Sequence, residues 1–123
     1  MQTKLLISLF ICHWLADFTP LSTKRMLEAK KDGKKLIPIL VHASVHATLM
    51  GLVMFYFIGI SELSLNLILF QLLTHFIIDV CKGRLNFIPA LQAPTNKLYW
   101  FVFGLDQLLH AIVIVLMVSF IVS

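Results

Sequence analysis

The five histidines of this chain all stand four residues from another histidine or from an aspartate, within stretches that are otherwise strongly apolar. They form four pairs: His13 with Asp17, His42 with His46, His75 with Asp79, and Asp106 with His110. Residues four apart lie on the same face of a helix, so each pair can offer two ligands to one metal ion. Imidazole and carboxylate groups are ligands that zinc, manganese and iron accept. The spacing therefore predicts a metal centre that draws on all eight residues.

The number of candidate ligands bears on the chemistry. One tetrahedral ion takes four ligands, whereas two divalent ions about 3.5–4 Å apart would use the larger set and would suit phosphoester hydrolysis. Lys82 follows Asp79 by three residues, and a lysine is a good point-charge partner for phosphate. We expect one or two ions, zinc first and manganese or iron as alternatives. The expected catalytic residues are Lys82, Asp79 and Asp106.

Carboxylates inside a membrane carry a cost that something must offset. An aspartate at the centre of the bilayer costs about 2.5–3.5 kcal/mol on insertion scales. Asp17, Asp79 and Asp106 together would cost on the order of 8–10 kcal/mol. A bound divalent metal offsets this cost, because it keeps carboxylates ionised and imidazoles neutral.

A purely structural role is the alternative for these polar residues. Polar side chains of membrane helices often hydrogen-bond across helices and hold a bundle together. One or two such contacts suffice for packing, so four aligned pairs favour the metal. Three members could instead orient a neighbouring ligand without binding the ion, namely His13, His46 and His110. A haem held by two facing histidines is a weaker alternative, since carboxylates are unfavourable beside a porphyrin.

Apolar helices are the elements that must position these pairs. The chain has 123 residues, of which 59% are hydrophobic and 13% charged, against about 25% charged in a soluble domain. The apolar segments cover about residues 4–18, 36–60, 62–81 and 97–121. Crossing a bilayer takes about 20 mostly apolar residues, and short connections favour antiparallel neighbours. The sequence thus predicts a single all-α domain over residues 1–123, an integral membrane up-down four-helix bundle with a basic loop at 19–35.

The positive charges predict the orientation in the membrane. Residues 19–35 hold six of the ten lysines and arginines, and Lys82, Arg84 and Lys97 lie between the third and fourth segments. The positive-inside rule then places both connections in the cytoplasm and both termini outside it, in an inner-membrane protein. All four pairs fall in the cytoplasmic half of the bundle. The basic loop could form a short amphipathic helix with Met26 and Leu27 touching lipid, and its charges would attract anionic headgroups.

Depth and ligand chemistry together predict a function. The site lies near headgroup depth, which favours a hydrolase acting on a phospholipid or another membrane phosphate ester. The alternatives are a divalent metal-ion transporter, which with four helices would need a homodimer, and a metal-stapled structural or regulatory membrane protein. The outer half has few polar residues to line an exit, and this favours the one-sided enzyme site. The expected partners are membrane lipids, and the basic charge is no indication of nucleic acid.

Several local sequences resemble those of a known family. They are His13-x3-Asp17-Phe18, Lys30 or Lys31 in a basic loop, His42, HFIIDVCK at residues 75–82, and DQLLH at residues 106–110. The set resembles a family of small bacterial and phage four-helix membrane proteins of unknown function, akin to membrane-bound metal-dependent hydrolases. The resemblance covers nearly the whole chain, and HFIIDVCK and DQLLH are its most specific parts. It implies no established activity, so the hydrolase function rests on ligand chemistry and on analogy.

Overall fold

A computed structural model describes all 123 residues, as helices joined by short turns and without β-strands. The five α-helices are α1 (Gln2–Phe18), α2 (Lys24–Asp32), α3 (Leu36–Ile58), α4 (Glu62–Arg84) and α5 (Lys97–Val122). Two single-turn 3₁₀ helices, Leu85–Phe87 and Pro89–Leu91, lie between α4 and α5. The first helix ends just before Thr19-Pro20, because a proline disfavours helical backbone at the residue before it.

Local hydrogen bonds fix where the helices begin and end. The Thr23 hydroxyl accepts a hydrogen bond from the backbone N–H of Met26 at the start of α2. Gly33 ends that helix with φ of 65°, a left-handed conformation that glycine adopts without strain. Ser61 and Ser64 form a reciprocal capping box at the start of α4. A short turn joins α3 to α4, whereas α2 lies between α1 and α3 and the two 3₁₀ helices lie between α4 and α5.

The four long helices close into a ring. Helix α1 contacts α3 and α5, and α4 contacts the same two helices from the opposite side. Helix α2 packs across α3 and α4. We call the end of the bundle that carries α2 and the chain between α4 and α5 the basic end. Helices α1 and α4 run toward it, and α3 and α5 run away from it.

The predicted number of helices was wrong, since a fifth helix occupies the segment expected to be a basic loop. The short helix expected within this segment is present as α2, and the cap at Thr23 and the stop at Gly33 are its sequence signals. Met26 is buried inside the protein, so the expectation that it touches lipid was also wrong. Leu27 is exposed.

Three helices are long and apolar enough to cross a membrane, which is compatible with a membrane location. They are Leu36–Ile58, Glu62–Phe87 (α4 together with the 3₁₀ helix that follows it) and Lys97–Val122. Their mean hydropathies are 1.8, 1.7 and 2.3. Helix α1 has 17 residues and is shorter than these three. Many large apolar side chains on the outside of the bundle are exposed, as lipid-facing side chains are.

The interior divides into two halves with different chemistry. The half away from the basic end is packed with apolar side chains, among them Leu9, Met50, Met54, Ile114 and Met117, all fully buried. The half at the basic end holds the buried histidines and aspartates. Since apolar packing does not require polar groups, the second half is where function is expected.

Helices α2 and α4 touch through their backbones. A Cβ placed on Gly83 would lie 2.6 Å from Gly33 N and 2.6 Å from Lys30 O, both backbone atoms that cannot rotate away. Only glycine at position 83 permits this approach. The contact holds α2, and with it Lys30, against the centre of the bundle.

We expect Gly83→Ala to push α2 away from α4 and to lower the free energy of unfolding by about 1–3 kcal/mol, as other overpacked sites do. Thermal unfolding of the detergent-purified protein, followed by circular dichroism, measures the effect. Gly104→Ala is the matched control, because it places a methyl group on helix α5 where nothing lies within 4 Å. Equal unfolding temperatures for the two variants would contradict the close contact.

Candidate metal centre

The alternating directions of the helices bring the four pairs to one end of the bundle. The first and third pairs lie in the last half of α1 and α4, the second lies in the first half of α3, and the fourth lies near the middle of α5. All eight side chains are directed inward, and none is more than one-tenth exposed. The residues are His13, Asp17, His42, His46, His75, Asp79, Asp106 and His110.

Six of the eight form two groups of ligand atoms, each group lying within 4.8 Å. The first group consists of Asp17, His42, His46 and His75. The second consists of His75, Asp79 and His110. His75 belongs to both groups, so the two are adjacent, and together they draw on all four long helices. Buried His and Asp residues of this chain can therefore hold a metal ion.

The first group is organised around Asp17. Its Oδ1 lies 3.0 Å from His42 Nε2 and 3.2 Å from His46 Nε2. An aspartate of α1 thus contacts both members of the pair on α3. The predicted pairs regroup across helices, and the partners of Asp17 are not limited to His13 on its own helix.

Unpartnered atoms in the second group fit a metal ion. His75 Nε2 lies 3.3 Å from Asp79 Oδ2, and His110 Nε2 lies 3.5 Å from Asp79 Oδ1. All four atoms are buried and none makes a hydrogen bond, although Lys30 Nζ lies 3.3 Å from Asp79 Oδ2. Buried polar atoms are normally hydrogen-bonded. Ligands bound about 2.0–2.2 Å from a tetrahedral zinc lie roughly 3.3–3.6 Å apart. The spacing of the four atoms and their missing partners therefore suit metal ligands.

The imidazole rings are packed against each other. The ring centroids of His46 and His75 are 3.8 Å apart, and those of His75 and His110 are 4.2 Å apart in a stacked arrangement. Cationic rings at these distances would repel one another. Neutral imidazole is the form that binds a metal, so the packing agrees with ligation.

Lys30, which the sequence offered only within the family resemblance, belongs to the site although it was not predicted to do so. Its Nζ lies 3.2 Å from His42 Nε2, 3.3 Å from Asp79 Oδ2 and 3.5 Å from Asp17 Oδ1. Burial lowers the pKa of Lys30, but the carboxylates outweigh this and the net pKa lies above its ordinary value. A charged ammonium therefore lies between the two ligand groups. The signal was its position four residues after Met26, on the face of α2 that is buried.

His13 and Asp106 lie beside the two ligand groups and belong to neither. His13 Nε2 is 3.3 Å from Asp17 Oδ2 and 3.4 Å from Gln107 Oε1. Asp106 Oδ2 accepts a hydrogen bond of 2.9 Å from Lys82 Nζ. Gln107 also donates to Asp106, so this glutamine links the two predicted ligands.

A cavity of about 620 Å³ adjoins the centre at the basic end. Asp17, Lys30 and Asp106 form part of its wall, so it connects to the site. Lys31 and Lys82 also line it. The remaining wall includes the apolar or aromatic residues Phe18, Leu27, Leu91, Tyr99, Val102 and Phe103.

Fold and site define an all-helical protein with three helices able to span a membrane and a buried His/Asp site able to hold a metal ion. A family model described as "Protein of unknown function (DUF3307)" matches residues 5–123, so the chain belongs to this family. No curated protein and no solved structure matches the chain. The family description states no activity, so the expected kinship with membrane-bound metal-dependent hydrolases remains a hypothesis.

We expect Lys30→Met to tighten metal binding at least tenfold. A fixed ammonium near the ligand atoms repels a divalent ion, since two unit charges 4 Å apart interact by about 4 kcal/mol at an effective dielectric of 20. Zinc affinity, measured by competition with a chromogenic chelator, tests this. Lys24→Met is the control, because Lys24 is exposed and lies 3.9 Å from Glu28. Equal or weaker zinc binding by the Lys30 variant would contradict the repulsion between the Lys30 ammonium and the metal ion.

Proposed function

We propose that this protein is a metal-dependent hydrolase of a phospholipid or another membrane phosphate ester, embedded in the inner membrane with its site at the cytoplasmic face. The observation that carries the proposal is the pair of overlapping His/Asp ligand groups, buried beside a cavity that lysines line. The lysines and arginines near the basic end support a cytoplasmic orientation of that end. The proposal places both termini outside the cytoplasm.

Two sets of side chains would hold the metal. Asp17, His42, His46 and His75 offer four ligand atoms, and His75, Asp79 and His110 offer three. Nitrogen and oxygen ligands in this number suit zinc, with manganese or iron as alternatives. A divalent ion bound there supplies Lewis acidity toward a phosphoryl oxygen and toward the attacking water.

Asp106 is suited to handle the proton of that water. It lines the cavity, its Oδ2 lies 2.9 Å from Lys82 Nζ, and its Oδ1 lies 3.5 Å from His110 Nε2. In the proposed reaction the water oxygen forms a bond to phosphorus as the ester P–O bond breaks. The Asp106 carboxylate takes the water proton and then returns it to the departing alkoxide. Asp79 is fully buried and outside the cavity wall, which favours a role as ligand for this carboxylate.

Lys82 is placed to contact the phosphoryl group. Its ammonium has three donors, and one of them is used by Asp106 Oδ2 at 2.9 Å. The others are available to anionic oxygens in the cavity. The ion pair with Asp106 also fixes the position of the lysine, so the same contact orients the proposed base and the proposed anion-binding group.

The apolar half of the bundle favours an enzyme over a transporter. A transported ion needs polar groups on both sides of its site. Beyond the centre, however, the buried polar side chains are only Gln71 and Ser64. The rest of that interior is filled by apolar side chains such as Met50, Met54 and Met117. The residues that line the cavity all lie at the basic end. A site reached from one side suits a hydrolase.

We expect His75→Ala to abolish metal binding, because it removes the ligand common to both groups, and Asp79→Asn to weaken it. Hydrolysis of a fluorescent phosphatidic acid should fall about a hundredfold or more in each variant. Elemental analysis of the detergent-purified proteins gives metal content, and product release gives the rate. Asp32→Asn makes the same chemical change at an exposed aspartate and should alter neither. A His75→Ala/Asp79→Ala double variant that keeps both metal and hydrolysis would refute the proposal.

For the transport alternative, we expect no zinc entry into sealed proteoliposomes that contain a fluorescent zinc indicator. Empty liposomes and liposomes with the Asp79→Asn variant give the baseline. Zinc entry that depends on Asp79 would replace the hydrolase proposal with a transporter, because the ion would then have crossed the apolar half of the bundle.

A further inference from the structure

Three lysines line the cavity beside the metal centre, and they differ in what they already contact. Lys30 is directed into the centre, where it pairs with Asp17 and Asp79. Lys82 pairs with Asp106 and is partly exposed. Lys31 is exposed and has no ion-pair partner, although it lies next to Lys30 on α2. The cavity therefore keeps cationic donors that the protein itself does not satisfy.

The charges around the cavity indicate the charge of its ligand. The carboxylates of Asp17 and Asp106 in the cavity wall and of Asp79 in the adjoining centre balance the ammonium groups of Lys30, Lys31 and Lys82 when the imidazoles are neutral. One divalent ion in the centre leaves an excess of two positive charges. A phosphate monoester carries about −1.5 to −2 at neutral pH and neutralises this excess. A zwitterionic choline phosphodiester has no net charge and does not.

The apolar residues of the cavity wall favour a lipid over inorganic phosphate as the ligand. Phe18 and Leu27 line the cavity and are at the same time about half exposed, at 55% and 45%. The same cavity thus has polar lining residues, Asp106 and Lys82, and apolar lining residues that reach the outside of the bundle. Inorganic phosphate would contact the polar residues alone, whereas a lipid would contact both the polar and the apolar residues.

We propose that this cavity binds the phosphate monoester headgroup of an anionic lipid, with Lys31 and Lys82 contacting phosphate oxygens and Phe18 and Leu27 contacting the alkyl part. The inference deepens the proposed function and rests on it for the charge of the bound metal. The lysines and the apolar residues that line the cavity are present whether or not a metal ion is bound. Binding can therefore be measured separately from hydrolysis.

Isothermal titration in a nonionic detergent tests the proposal with three probes: a phosphonate analogue of dihexanoyl phosphatidic acid, whose C–P bond a phosphoester hydrolase does not cleave and which is called phosphatidic acid below, inorganic phosphate, and dihexanoyl phosphatidylcholine. The zinc-loaded protein should bind the phosphatidic acid at least about tenfold more tightly than either other probe, a difference of about 1.4 kcal/mol. Lys31→Gln should raise the Kd for phosphatidic acid and for phosphate. Lys34→Gln, an exposed lysine outside the cavity, should change neither. Leu27→Ser should raise the Kd for phosphatidic acid only.

The zinc content of each sample separates the two proposals. A zinc-loaded protein that binds phosphatidic acid and phosphatidylcholine equally, or that ignores Lys31→Gln, overturns the headgroup site and leaves the hydrolase standing. A protein that never takes up metal but selects phosphatidic acid through Lys31 overturns the hydrolase and keeps the site. Equal affinity for phosphatidic acid and inorganic phosphate, unaffected by Leu27→Ser, shows a free phosphate site and overturns the lipid assignment.

Discussion

A carboxylate surrounded by apolar helices must find cationic or hydrogen-bonding partners, because an isolated buried charge is costly and an unpaired partner nearly as much. Asp79 is fully buried, and Lys30, His75 and His110 supply the groups around it. These partners come from α2, α4 and α5. The need to compensate one charge thus brings separate helices together, and the packing of the bundle and the make-up of the site depend on the same contacts.

Helix α2 gains its importance from this constraint. A basic segment at the end of a bundle would ordinarily serve orientation alone. Here the backbone contact between Gly33 and Gly83 holds α2 close enough for Lys30 to reach the buried carboxylates. The neighbouring residue Lys31 meanwhile faces the cavity. One short helix therefore contributes a cation to the centre and another to the space where a ligand would bind.

The sequence predicted the helical class and the presence of buried His/Asp groups able to hold a metal, since residues four apart share a helix face. It could not predict which faces meet. The contact of Asp17 with His42 and His46 depends on the neighbours of α1 in the ring, and spacing within one helix does not contain that information. Lys30 was missed for a different reason: a lysine among many lysines is expected to be solvated, and only the docking of α2 buries it.

The order of residues within each mixed pair follows the direction of its helix. Histidine precedes aspartate in α1 and α4, which run toward the basic end, and Asp106 precedes His110 in α5, which runs away from it. In each mixed pair the aspartate therefore lies nearer the basic end. The imidazoles of His46, His75 and His110 pack against one another further from that end. In the proposed membrane orientation, fixed negative charge thus stays nearer the water, where burying it costs less, and the groups that can be neutral lie further from the water. Swapping Asp106 with His110 would keep the composition unchanged yet carry a carboxylate about 6 Å further into the hydrocarbon-like interior.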